Sequence, residues 1–369
     1  MKKPIRILHV VTSMNAGGIE SMLMNLYRVI DREKVQFDFL VHTEKESFFE
    51  QEIIQLGGKI HRIPPLKLTN LNKYINKLDE FFKKEQYECV HSHYTFISYF
   101  ILKAAKKNNV NIRIAHSHEA LESIWDRHIL KVPFIFVLKQ LINNPVTHRF
   151  ACGKAAGEWM FGEAPFTILH NAIDAKRFTY DKTIALAEKK KLGLENKILF
   201  GNVGRFSRQK NHGFLIEIFE GIQKKIQNAH LLLVGDGELR SEIEKKVKER
   251  NLEQSVSFLG VRKDIVQLLH AMDYILMPSL YEGLSVTMVE AQANGLKIFA
   301  SDKISTETNF TNLIEFISIK DKELWVDLVV NNLPYERNNT YDKLVKANYD
   351  IVANAEFVEN LYLDLMKDV

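Results

Sequence analysis

The sequence predicts an α/β protein of two Rossmann-like domains, each a doubly wound parallel sheet, facing one another across a cleft. Three observations predict it. Strand-like and helix-like segments alternate almost throughout, and that alternation builds parallel sheets covered by helices. It comes in two series that meet near residues 170–178, with no long Gly/Ser linker between them. Finally, 369 residues is the length of two domains at roughly 100 to 200 residues each.

The first series opens with the strand RILHVVT and a helix over 19–30, where Met22, Leu26, Tyr27 and Ile30 recur near helical spacing. It continues with the strand FDFLVH, a helix near 48–56, the strand KIHRIP, a helix over 71–84, the strand ECVHSH, a helix over 96–107 and the strand IRIAHSH. After a charged stretch, AEKKKLGLEN, the second series runs ILFGNVGR, a helix over 212–226, HLLLVGDG, a helix over 239–250, VSFLG, a helix over 265–272, YILMPS, a helix over 286–294 and KIFASD. Residues 1–172 and 173–345 are the expected domains, with 346–369 a terminal helix packing back towards the first. Solenoid repeats and low-complexity segments are absent.

Composition excludes several classes. With 46% apolar and 26% charged residues the chain is globular rather than disordered, and two cysteines, Cys89 and Cys152, cannot staple a chain of this size. A reducing, cytoplasmic address is expected. The N-terminal apolar run is only a strand long, is broken by Arg6 and His9 and has no small-residue cleavage site, so it reads as a strand and not a signal peptide. The longest apolar stretch, Val132–Leu138, is far short of the roughly 20 residues that span a bilayer. Residues 1–172 carry 23 Lys and Arg against 17 Asp and Glu, whereas residues 173–369 carry 27 against 29. The first half is therefore the one expected to face an anionic partner or surface. Within it, the segment 121–149 mixes Trp125, Ile129, Leu130, Val132, Phe134, Ile135 and Phe136 with Arg127, Lys131, Lys139 and Arg149, and Pro133 is expected to interrupt any helix there. A basic, apolar element at an anionic membrane face and an ordinary core helix pair both explain it.

Ligands of open α/β sheets bind outside the carboxyl ends of the strands, and the unusual residues of this chain lie there. Gly17 and Gly18 follow the first strand and open a helix, a place where backbone N–H groups can meet a phosphate, or a plain turn. Arg205 and Lys210, in GRFSRQKN, make a candidate diphosphate cradle after the first strand of the second series; a single preorganised donor at developing charge is worth about 3 to 4 kcal/mol. Gly235 lies in a further strand-end turn, and Val261 and Arg262 in another. Glu282 and Glu290, in EGLSVTMVE, would place one carboxylate in a loop and one about a turn into a helix, suited to gripping hydroxyl groups. His91-Ser92-His93 and His116-Ser117-His118 each end a strand. Residues two apart share a strand face, so a metal site is conceivable there, but no carboxylate or cysteine has matching spacing and no Asp-x-Asp occurs. Cleft-facing polar histidines are the preferred reading, and no metal or other cofactor is expected.

Together GGIE, the two HSH segments, GRFSRQKN, VGDGELR, FLGVRKD and EGLSVTMVE resemble glycosyltransferase family 4, which has the GT-B fold, over nearly the whole chain. The bacterial exopolysaccharide and capsule enzymes are the nearest in appearance, in MNLYRVIDREKVQFDFL and RIAHSHEA. The resemblance implies that Arg205 and Lys210 bind the donor diphosphate, Glu290 the ribose, and Glu282 with the backbone of Gly283, Leu284 and Ser285 the transferred sugar. It also implies His116 at the sugar's reacting end, with His93 and His118 on the acceptor side. Gly17, Gly18 and Gly235 would approach the phosphates, and Val261 and Arg262 the base. The implied reaction is metal-independent, retaining transfer from a nucleotide diphosphate sugar, UDP-linked, to a lipid-linked saccharide. Nucleic acid is not an expected partner. The chain departs from the family pattern at Ala172, Ser285 and Leu296-Lys297, of which Ala172 bears on hinge geometry, since the usual glycine there can take φ > 0. A nucleotide-sugar epimerase and a non-catalytic sugar-nucleotide sensor on the same fold are the alternatives. A hydride-transferring enzyme is disfavoured because the dinucleotide fingerprint is missing.

Overall fold

The computed structural model describes residues 3–15, 17–66, 68–118 and 132–367. The chain divides into two compact units, one of residues 1–173 with 350–369, the other of residues 174–349.

In the first unit seven strands form one parallel sheet in the order β3-β2-β1-β4-β5-β6-β7. They are β1 (Ile5–Val11), β2 (Val35–Val41), β3 (Ile60–Arg62), β4 (Cys89–Ser92), β5 (Ile112–Ser117), β6 (His148–Ala151) and β7 (Thr167–Ile168). Every residue of β2 is buried, as a strand covered on both faces must be. One face packs against the helix Gly18–Val29 and the terminal helix Ile351–Leu365 through Ile7, Phe37, Phe39, Tyr27, Val358 and Tyr362. The other packs against Leu71–Lys84 and Ser98–Lys107 through Leu8, Val10, Leu78, Ile101 and Leu102.

The second unit has a six-stranded parallel sheet, order β10-β9-β8-β11-β12-β13. Its strands are β8 (Ile198–Val203), β9 (Ala229–Val234), β10 (Val256–Gly260), β11 (Tyr274–Met277), β12 (Lys297–Ser301) and β13 (Ile314–Ile317). In both sheets the strand order reverses once, between β1 and β4 and between β8 and β11. At such a reversal the two following loops turn towards opposite faces, which opens a crevice at the strand ends.

Several elements depart from the expectation. The stretch read as a charged connection is a helix, Lys182–Leu192, capped by the Asp181 carboxylate, which accepts from the Thr183 and Ile184 amides, and closed by Gly193 in the left-handed conformation. Strands β6, β7 and β13 had no counterpart in the sequence reading. Pro133 lies within a helix, Val132–Leu141. Ala172 does not take a positive φ, so the alanine costs the backbone nothing there; Gly295 does, at +71°. Of the mixed apolar and basic segment, residues 121–131 lie outside the described residues.

The turns after β8 and β9 approach too closely for side chains. Gly235 has φ +136°, and a Cβ there would meet the carbonyl oxygen of Gly204 at 2.0 Å. Gly235→Ala should therefore cost about 2 kcal/mol or more in urea unfolding, against about 1 for Gly193→Ala, whose left-handed backbone faces open space. Equal losses would contradict the close-approach account.

Candidate active site

The second unit's site is built at the reversal between β8 and β11. After β8, Arg208–Lys210 form a single 3-10 turn ended by Asn211 in the left-handed conformation. That turn is stitched to the chain leaving β11. The Leu280 amide donates to the Gln209 carbonyl at 2.8 Å, Gln209 Nε2 to the Tyr281 carbonyl at 3.1 Å, and Asn211 Nδ2 to the Pro278 carbonyl at 3.1 Å. The result brings Lys210 Nζ to 2.7 Å from Glu282 Oε1, both side chains nearly buried. The contact is an ion pair off the hydrogen-bonding direction, since Oε1 has no aligned donor among the described residues, while Oε2 accepts from Gln209 at 3.3 Å. The Glu282 backbone is held in turn by a parallel bridge to Ile304.

Glu290 stands just over one turn into the helix Val286–Ala293, whose N-cap is Ser285. Gly283 and Leu284 complete the loop before that cap. Burial pushes the Glu290 carboxyl up to about 8, against a smaller downward pull from Arg177. Arg205 points outwards, three-quarters exposed, and pairs with Glu238 at 3.0 Å. Arg262 is held by Asp264, its Nε 2.7 Å from Oδ1, beside an exposed Val261. Lys210 and Glu282 are thus brought together, whereas Arg205 and Arg262 are each engaged by a neighbouring carboxylate of their own.

The first unit's polar cluster sits at its own reversal. His9 on β1 lies opposite His91 on β4, and His93, His116 and His118 follow on the same face at the ends of β4 and β5. His9 Nδ1 is 3.0 Å from His93 Nε2, His93 Nδ1 is 2.9 Å from His118 Nε2, and His91 Nε2 is 3.2 Å from His116 Nδ1. The Tyr362 hydroxyl, from the terminal helix, lies 2.7 Å from His91 Nδ1. Burial, with repulsion among the rings at His91, His93 and His116, drives all five histidines well below their ordinary value, His9 and His118 to about 3. All five are neutral at physiological pH. His116, the histidine assigned to the reacting end, is wholly buried; His118 retains some exposure. His9 and Tyr362 escaped the sequence reading. A buried-strand pattern interrupted by a histidine, in IRILHVV, was the available signal for the first; nothing local marked the second.

Gly17 and Gly18 begin the helix Gly18–Val29. A Cβ at Gly18 would meet open space, and one at Gly17 only the carboxylate of Glu20, which burial raises to about 7.

Two family models match, Glycosyltransferase Family 4 over residues 16–177 and Glycosyl transferases group 1 over residues 185–313. EpsF of Bacillus subtilis (strain 168), a glycosyltransferase by name, is 32% identical over 97% of this chain and 96% of its own. The chain belongs to glycosyltransferase family 4. An Escherichia coli UDP-Gal:alpha-D-GlcNAc-diphosphoundecaprenol alpha-1,3-galactosyltransferase is 24% identical over 98% of this chain and 97% of its own. Among solved structures, Anabaena Alr3699/HepE in complex with UDP and glucose has a TM-score of 0.78 at 16% identity, covering 98% of this chain and all of its own, a likeness of fold. This family 4 glycosyltransferase therefore has the GT-B architecture of two parallel-sheet α/β domains.

The Glu290 shift has a checkable sign. A carboxyl whose folded value of about 8 exceeds the ordinary unfolded value near 4.5 makes the transferase lose stability as pH rises through that interval. Glu290→Gln removes the titration, so the variant should match the native protein near pH 4 and exceed it by about 1 kcal/mol or more at pH 9, each pKa unit being about 1.4 kcal/mol before allowance for partial exposure. Denaturant melts at both pH values test this; parallel curves would contradict it.

Proposed function

We propose that this chain is a retaining, metal-independent transferase that moves a sugar from a nucleotide diphosphate, UDP, to a lipid-linked saccharide in bacterial exopolysaccharide or capsule assembly. The observation that carries the reading is the Lys210–Glu282 pair at the β8/β11 reversal: a nearly buried ammonium fixed by an acidic neighbour at the strand ends where α/β folds take phosphates. Glu290, in the helix that follows, is the group for the ribose hydroxyls. Support for the donor and acceptor comes from the Escherichia coli relative, whose name specifies UDP-Gal and a diphosphoundecaprenol-linked sugar.

In the proposed step the bond from the anomeric carbon to the β-phosphate oxygen breaks, and its electron pair leaves with the diphosphate. The acceptor hydroxyl oxygen bonds to the anomeric carbon from the same face and passes its proton to the departing phosphate. Lys210 stabilises the charge that gathers on the diphosphate, joined by Arg205 once it exchanges Glu238 for the phosphate, the work a divalent ion would otherwise do. A double displacement would need a free carboxylate as nucleophile; Glu282 is engaged by Lys210 and Gln209, and Glu290 is assigned to ribose.

Placement at the cytoplasmic face of the membrane fits a chain whose two cysteines, Cys89 and Cys152, are both buried. Among the described residues no helix is long and apolar enough to cross a membrane. The helix Val132–Leu141 exposes Phe136, Val137 and Leu141 near Lys139, which sits 3.9 Å over the Trp159 ring, a combination suited to peripheral contact with anionic lipid.

A panel of radiolabelled nucleotide sugars, incubated with and without lipid-linked acceptor and with a chelator, tests the reading. Transfer with the donor's anomeric configuration kept, undiminished by the chelator, is expected. Conversion of the donor to an epimer without acceptor would favour the epimerase, and inversion or chelator sensitivity would overturn the mechanism. Lys210→Ala should lower turnover by about 10²- to 10³-fold, far more than it lowers the melting temperature; unchanged transfer would remove Lys210 from the site. Binding to anionic vesicles, lost at high salt, should weaken in Val137→Glu; absence of binding at low salt would exclude the membrane contact.

A further inference from the structure

The five histidines and Tyr362 form two hydrogen-bonded chains whose proton positions can be worked out. A neutral imidazole has one N–H and one bare nitrogen, so each histidine passes on the polarity that it receives. In the first chain, the hydroxyl of Tyr362 is wholly buried and His91 Nδ1 is its hydrogen-bond partner among the described residues. A phenol O–H is the more acidic donor of the two and an imidazole nitrogen the more basic acceptor, and 2.7 Å is the length of a bond given by an O–H, so the hydroxyl donates. His91 Nδ1 is then bare and its Nε2 carries the proton. That Nε2 lies 3.2 Å from His116 Nδ1 and donates to it, which leaves the His116 proton on Nε2. The second chain, His9 to His93 to His118, has no such anchor and can run in either direction.

We infer that Tyr362 is a positioning residue: through His91 it fixes His116 as the Nε2–H tautomer, so that His116 offers a hydrogen-bond donor to an oxygen of the substrate and does not act as a base. The inference rests on the transferase reading for the identity of that oxygen, a sugar hydroxyl or a phosphate. His116 Nε2 has no partner among the described residues and is shielded from solvent. An unpaired buried N–H is a cost that an acceptor oxygen on an arriving ligand relieves.

A metal centre is the rival use of these residues, since His9, His91 and His93, and His93, His116 and His118, each bring ligand atoms within 4.8 Å of one another. Ring orientation argues against it. Imidazole lone pairs lie in the ring plane, and His116 stacks on His118 with centroids 4.0 Å apart and planes 30° from parallel, as His91 does on His93 at 4.3 Å and 22°. Stacked rings send their lone pairs side by side. Both nitrogens of His93, common to the two trios, are already taken by His9 and His118. The three atoms left unpartnered, His9 Nε2, His116 Nε2 and His118 Nδ1, are what two chains leave at their ends.

The test is tautomer assignment by long-range proton–nitrogen correlation in the full-length protein labelled with ¹⁵N-histidine, before and after Tyr362→Phe. This reads the network with no substrate present, so it stands or falls separately from the transferase reading. The native protein should show His116 as Nε2–H, and the variant an averaged or reversed tautomer, with turnover down roughly tenfold or more, the scale lost when a partner that orients a functional histidine is removed. Tyr27→Phe, a buried tyrosine of the same core that bonds Gln36 and the Leu56 carbonyl, should leave the His116 signal unchanged. A native His116 protonated on Nδ1, a tautomer indifferent to Tyr362, or zinc bound stoichiometrically with loss of the histidine N–H signals would each overturn the inference.

Discussion

A single reversal of strand order in each parallel sheet is the constraint on which the rest depends. All the pairings in the second sheet are parallel, so every loop that can carry chemistry leaves from the same edge. Only at β8 and β11 do neighbouring strands send their chains to opposite faces. The turn after β8 and the loop after β11 are free of each other's helices there, and the side-chain amides of Gln209 and Asn211, with the Leu280 amide donating to the Gln209 carbonyl, tie them together. The Lys210–Glu282 pair is the outcome. Two nearly buried charges are stable only as a pair, so the ammonium is fixed in place before any anion arrives.

The first sheet uses the same reversal for a different chemistry. Its strand ends carry imidazoles rather than charged side chains, and burial keeps all five neutral. A buried cluster of protonated histidines would be prohibitively costly, whereas a neutral one satisfies its nitrogens pairwise and leaves three chain ends open. The terminal helix, supplying Tyr362, makes residues at the end of the chain part of the first unit's core. One unit thus offers charge and the other directional, uncharged hydrogen bonding.

Much of this was legible in the sequence because buried parallel strands are short apolar runs and their glycine-marked ends punctuate them. GRFSRQKN and EGLSVTMVE stood out as charged residues directly after such runs, and their pairing follows from topology. What was not legible lacked a local pattern. β7 has two residues, and the helix Lys182–Leu192 buries only Ala185 and Glu188, so its apolar face is too thin to register; its cap residues Asp181 and Gly193 were the readable sign. The pairing of Tyr362 with His91 spans 271 positions, and no spacing rule reaches that far. Arg205 and Arg262 lie just after β8 and β10, but nearby Glu238 and Asp264 engage them in this structure, a choice that composition does not reveal.

Lys210 is the group we propose to recognise a diphosphate. Calorimetric titration of UDP and UMP into the native protein and Lys210→Met tests it most directly. UDP should bind the native protein at least about tenfold more tightly than UMP, one charge-assisted contact being worth about 1.5 to 3 kcal/mol. That preference should vanish in the variant while UMP affinity stays the same. Equal loss for both nucleotides, or a preference that survives the substitution, would contradict the central claim.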